Sequence, residues 1–144
     1  TGAGEIFIHR NVANLFVAGD VNAEAVLQYA VDALKVRHVI VCGHYACGGV
    51  RAAIEGGATG ALGTWLEHIR KIYVEQREAL DLLSADERWD RMVELNTIAQ
   101  VERLRASSVV QEAWRRGEGP SLHGWVYRVS SGVLQQLVTY PRPS

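Results

Sequence analysis

The 144 residues predict an α/β domain, a mostly parallel β-sheet flanked by helices, as a single unit over residues 1–144. Two observations carry that expectation. The first half of the chain alternates short β-rich runs with amphipathic stretches in the order β-α-β-α, the pattern of parallel strands joined by crossover helices. The run Val39-Ile40-Val41 then leads into a glycine-bearing turn and Gly48-Gly49, as strands do where open α/β sheets build their sites.

Each element follows in order. Glu5-Ile-Phe-Ile-His9 alternates and is rich in β-formers, so it reads as a strand. Asn11 to Asp20 reads as a loop. Ala23, Val26, Leu27, Ala30, Val31 and Leu34 form a helical stripe over 22–35. His38 to Cys42 is the next strand, and a short helix follows around Val50 to Glu55. Gly56-Gly57 and Gly60 break the chain. Thr64-x-x-Glu67 and Ser84-x-x-Glu87 match the capping-box pattern and predict two helix starts. The second helix runs, partly broken, to about Leu104. Another spans about Ser107 to Arg116, stopped by Gly117 and Pro120. Leu122 to Val129 returns to strand composition, and Ser130-Ser131-Gly132 predicts a hairpin turn into Val133–Val138.

Composition narrows the function classes. A formal net charge of −1 gives no electrostatic case for nucleic-acid or membrane partners. No apolar stretch approaches the ~20 residues that span a bilayer. Two cysteines beside a histidine favour a metal or reduced thiols over a disulfide scaffold, so a reducing, cytoplasmic setting is expected.

The densest chemistry lies in Cys42-Gly-His44-Tyr-Ala-Cys47-Gly48-Gly49. An imidazole and a thiolate suit zinc, which makes His44 and Cys47 candidate metal ligands. Cys42 lies about 6.6 Å of strand rise from His44, too far for a shared ion unless the turn tightens, and fits a buried core thiol better. Gly48 and Gly49 can present N–H groups to an oxyanion at a helix N-terminus or merely permit the turn. By composition Phe7, Val12 and Tyr29 read as core. His9, His38, His68 and His123 show no ligand-like spacing, and the four tryptophans read as core or interface.

Several segments in order resemble one family. They are Gly4 to Asn14, Gln28-Tyr29-Ala30-Val31, Val41 to Gly49, Glu94-Leu-Asn-x-Ile-x-Gln-Val101 and His123-Gly-Trp-Val-Tyr127. Together they are similar to the bacterial-type β-class carbonic anhydrases. The resemblance implies reversible hydration of CO2 to bicarbonate and a proton, dependent on Zn2+. It makes His44 and Cys47 metal ligands, catalytic through zinc. Gly48 follows as a catalytic position and Gly49 as a substrate contact. Phe7, Val12 and Tyr29 become a CO2 pocket, partly across a homodimer or dimer-of-dimers tetramer. Arg10 and Tyr127 correspond to positions where some members bind a regulatory bicarbonate.

The family's remaining ligand lies in a Cys-x-Asp-x-Arg segment, which does not occur in these 144 residues. It is expected upstream of Thr1, with the family's N-terminal helices and first strand, the strand that lies between the Glu5 and His38 strands. Without it, the alternative is a catalytically inactive carbonic anhydrase-like binding or assembly subunit.

Overall fold

The structure is a computed structural model that describes residues 2–144. After a 3-10 turn at Val12–Asn14 come α1 (Val21–Gln28), β1 (His38–His44), α2 (Gly48–Glu55), α3 (Gly60–Glu75), α4 (Arg77–Leu80), α5 (Ala85–Ala106), α6 (Ser108–Arg115), β2 (Ser121–Arg128) and β3 (Val133–Tyr140). The sheet is small and mixed. β1 and β2 pair in parallel across the α2–α6 crossover, and β3 returns antiparallel to β2 through the predicted hairpin. No helix of the described residues is long and apolar enough to cross a membrane.

The helices lie against one face of the sheet. Along β1, Val41 and Gly43 are buried while His38, Ile40, Cys42 and His44 are exposed; along β2, Leu122, Gly124 and Val126 are buried. α5 lies over this buried face, and glycine lets it approach closely. A Cβ on Gly43 would collide with Thr97 Oγ1, and one on Gly124 would lie 2.9 Å from Val138 and 3.1 Å from Val101. Two cores share α5. One joins α2, α3 and Val126 around Ile69 and Met92; the other joins α1, α6, Val41 and Leu122. Each fully buried side chain of this size is worth about 1.5–3 kcal/mol of apolar burial.

Several local expectations change. Glu5–His9 forms no strand, with a bend at Glu5 and no regular structure over 6–10, and Ile6, Phe7 and Ile8 are all exposed. Alternation specifies which side chains share a face, but a strand also needs a partner to take its backbone groups. Among the described residues none pairs with it. The helix over 22–35 forms, but its last turn widens: Leu34 N–H donates to Tyr29 O and Val36 N–H to Ala30 O.

α3 begins a turn before the Thr64 capping pattern, with Thr59 at its N-cap. The Thr64 hydroxyl instead donates to Gly60 O at 3.2 Å. The Ser84–Glu87 capping box forms as predicted: the Glu87 backbone N–H donates to Ser84 Oγ, and the Ser84 backbone N–H donates back to Glu87 Oε2. α5 runs unbroken through 22 residues.

Candidate active site

β1 delivers His44 to the end of the sheet, in register with Tyr127 of β2. The pairing continues one residue further, through Tyr45 N–H donating to Tyr127 O at 3.0 Å. Ala46 then takes a left-handed conformation (φ 58°), which reverses the chain so that Cys47 becomes the N-cap of α2. Cys47 is buried and His44 exposed.

His44 Nδ1 lies 2.9 Å from Tyr45 O. A carbonyl can only accept, so Nδ1 carries the proton in the neutral ring and Nε2 keeps a free lone pair. A metal-ligating histidine is oriented by this kind of contact through its other nitrogen.

Side chains from α5 and β2 fasten the surroundings. The Trp89 indole N–H donates to Cys47 O at 2.9 Å. The Tyr45 hydroxyl donates to Glu94 Oε1 at 2.8 Å. Arg128 lies over the Tyr45 ring at 4.0 Å and pairs with Asp90 at 2.9 Å. Burial first, then the Glu94 hydrogen bond, pushes the Tyr45 phenol up to about 12.

The opposite wall is the 11–16 loop. The Asn96 side chain donates to Ala13 O, and Phe16 N–H donates to Gln100 Oε1. The Gln100 amide donates to Asn96 Oδ1, linking both contacts on α5. From α3, the Trp65 indole donates to Val12 O at 2.8 Å. The loop lies close over the turn, since a Cβ on Gly49 would be 3.2 Å from Val12 Cγ1 and 3.3 Å from Ala13 Cβ. At Gly48 the same position is open. The first-turn amides of α2 lack intrahelical acceptors and can donate to an anion.

The remaining sequence candidates separate. Val12 closes on Gly49, and Phe7 meets Tyr29 with ring centroids 5.7 Å apart. Phe7, Val12 and Tyr29 are each about half exposed, so none is a core residue of this chain. Arg10 is exposed, and among the described residues it makes no hydrogen bond or ion pair; Tyr127 flanks His44 on the sheet. Cys42 is exposed rather than buried in the core, and partial desolvation raises its thiol pKa. Among the described residues, no group of three His, Cys, Asp or Glu side chains could hold a metal ion.

Nothing in the sequence marks Tyr45 or Arg128 for this role, and Trp65 and Trp89 read there only as core or interface. Asn96 and Gln100 leave a signal, as polar residues one turn apart, with Thr97, among the apolar positions Met92, Val93, Val101 and Leu104.

The family model described as carbonic anhydrase matches residues 1–134. The chain belongs to the carbonic anhydrase family. It is 43% identical over 136 residues to a carbonic anhydrase of Emericella nidulans, covering 94% of this chain and 60% of that protein. A carbonic anhydrase of Candida albicans is 36% identical, matched over 93% of this chain and 48% of its own length. The chain thus spans about half to three-fifths of these relatives.

Among solved carbonic anhydrases, the Coccomyxa β-carbonic anhydrase in complex with acetazolamide superimposes with a TM-score of 0.92 at 41% identity, covering 96% of this chain and 64% of the other. A tetrameric β-carbonic anhydrase of Sordaria macrospora gives a TM-score of 0.90 at 35% identity, with coverage of 96% and 72%.

Proposed function

We propose that this chain forms the larger part of a carbonic anhydrase subunit that interconverts CO2 and bicarbonate, with zinc held by His44 and Cys47. The observation that carries the reading is the His44 Nδ1–Tyr45 O contact, which leaves Nε2 as a lone-pair donor three residues before the buried Cys47 thiol. Those two groups fit zinc in type, and the family's third ligand, a cysteine of the Cys-x-Asp-x-Arg segment, is supplied from outside the 144 residues. Bound zinc lowers the pKa of water to about 7, making hydroxide available at neutral pH.

The chain's own residues prepare the space around that chemistry. Val12, closed against side-chain-free Gly49, excludes water from one side of the turn. Phe7 and Tyr29 add apolar surface for a linear, uncharged substrate. The first-turn amides at Gly48 and Gly49 donate toward negative charge developing on the carboxylate product. The half-exposed Phe7, Val12 and Tyr29, with Ile6 and Ile8, are covered by a second copy of the chain in a dimer or dimer-built tetramer. Arg10 and Tyr127 receive a regulatory bicarbonate, for which a guanidinium fork is suited.

The test combines zinc content with CO2 hydration rate. The bare chain should bind zinc substoichiometrically, and supplying the Cys-x-Asp-x-Arg segment should bring it to about one per subunit with measurable hydration. His44→Ala should abolish that activity; hydration surviving it would overturn the reading. The absence of a three-ligand group among the described residues favours a second reading, an inactive assembly subunit. That reading predicts stable association but no hydration even with the segment supplied.

A further inference from the structure

β1 and β2 bring two histidines together at the end of the sheet remote from the His44 turn. His38 opens β1, and His123 is the third residue of β2, opposite Ile40. Both lie on the face that the helices leave uncovered, with His38 exposed and His123 half-buried. His38 Nδ1 and His123 Nε2 are 3.0 Å apart. His44 lies six residues further along β1, about 20 Å away at strand rise.

We propose that His38 and His123 form a two-imidazole site for a divalent transition ion of the copper(II) or nickel(II) class, separate from the zinc ligands. Three features support it. The first is orientation. His123 Nδ1 is 3.1 Å from Thr139 Oγ1, which also accepts the Gln136 side-chain N–H at 2.7 Å. With Nδ1 engaged by Thr139, Nε2 faces His38, the outer-sphere contact that aims a ligating imidazole.

The second is protonation. Two ring nitrogens at this distance share one proton between them, because two facing N–H groups would repel. Burial, and then the neighbouring His38 charge, hold the His123 pKa below the ordinary histidine range. A lone pair is therefore present at the contact, and an incoming ion takes the place of the shared proton, which passes to the outer nitrogen of the same ring so that both imidazoles stay neutral.

The third is bite. The ring centroids are 5.2 Å apart, so the two nitrogens lie close to the line joining the rings. Once each ring swings its lone pair off that line, two metal–nitrogen bonds of about 2.0–2.1 Å spanning this separation close at about 91–97°. That angle matches adjacent positions of a tetragonal ion, the geometry of copper(II) and nickel(II), whereas a tetrahedral pair would stand wider. Water fills the other positions on the open face.

The experiment is a calorimetric titration of Ni2+ into the 144-residue chain, repeated with His38→Gln, His123→Gln and His44→Ala. One saturable site is expected, at least tenfold weaker in each of the first two variants and unchanged in the third. His38 is exposed at the strand's first residue, so His38→Gln tests the site without disturbing the core. Trp125, whose ring centroid is 6.1 Å from that of His123, gives a second readout: Cu2+ should quench its fluorescence, and Trp125→Phe should remove the quenching while leaving the affinity intact. Binding unchanged in His38→Gln, binding lost in His44→Ala, or no saturable binding at all would each overturn the proposal.

Discussion

The two sides of the candidate pocket are built on different terms. The His44–Cys47 turn and the 11–16 loop are tied into α3 and α5 by indole, amide and phenol hydrogen bonds. Ile6, Phe7, Ile8 and Tyr29 have apolar side chains of comparable size, yet they face solvent, with Phe7 and Tyr29 meeting ring to ring. The difference separates a wall that the chain's own hydrogen bonds hold from an apolar surface that the described residues leave uncovered. The His44–Cys47 wall is held by side-chain hydrogen bonds within the chain, while the apolar surface of Phe7 and Tyr29 is left half exposed.

Mutations can break that contrast. Leu122 is fully buried, and Leu122→Ala should cost about 2–5 kcal/mol in urea denaturation through transfer and cavity effects. Gln100→Ala should cost about 1–3 kcal/mol, because it strands the Phe16 N–H and the Asn96 carbonyl oxygen in the interior. Trp89→Phe keeps an aromatic side chain but removes the donor and part of the ring, so a loss of at least about 0.5–1.5 kcal/mol is expected from the hydrogen bond. It should also accelerate alkylation of Cys47, resolved by peptide mass spectrometry from that of the exposed Cys42.

A change of pH should act more weakly. Desolvation is the leading cause that holds both His68 and His123 below the ordinary histidine range. The unfolded chain therefore binds more protons near pH 6.5 than the folded one. Stability should be intact above that value and decline as pH falls through it toward the folded values. Denaturation midpoints at pH 7.5 and 5.5 check the sign, and His68→Gln should flatten the slope. At the small end, Ile8→Ser should shift monomer stability within about 0.5 kcal/mol while weakening self-association measured by sedimentation.

The same contrast explains what could be read from residue order. β1 was legible because Val39-Ile40-Val41 is both β-rich and followed by a turn, and β2 is there to meet it. Glu5–His9 carries an equally good alternation, but pairing is a property of two segments, and one segment cannot report whether its neighbour is present. The His44–Cys47 spacing is local and was visible. The His38–His123 contact depends on strand register across 85 residues, which spacing along one chain does not encode. At α3, the residue pattern Thr64-x-x-Glu67 matched a cap. The glycines at 56 and 57, with φ of 77° and 84°, instead turned the chain early enough for the helix to begin at Gly60.

α5 presses into the sheet at Gly43 and Gly124, where no side chain holds it off, and from the same helix Asn96 and Gln100 grip one wall of the cleft while Trp89 and Glu94 grip the other. Both jaws are thus mounted on a common shaft. A substitution that displaces that shaft should therefore disturb both jaws at once rather than either alone.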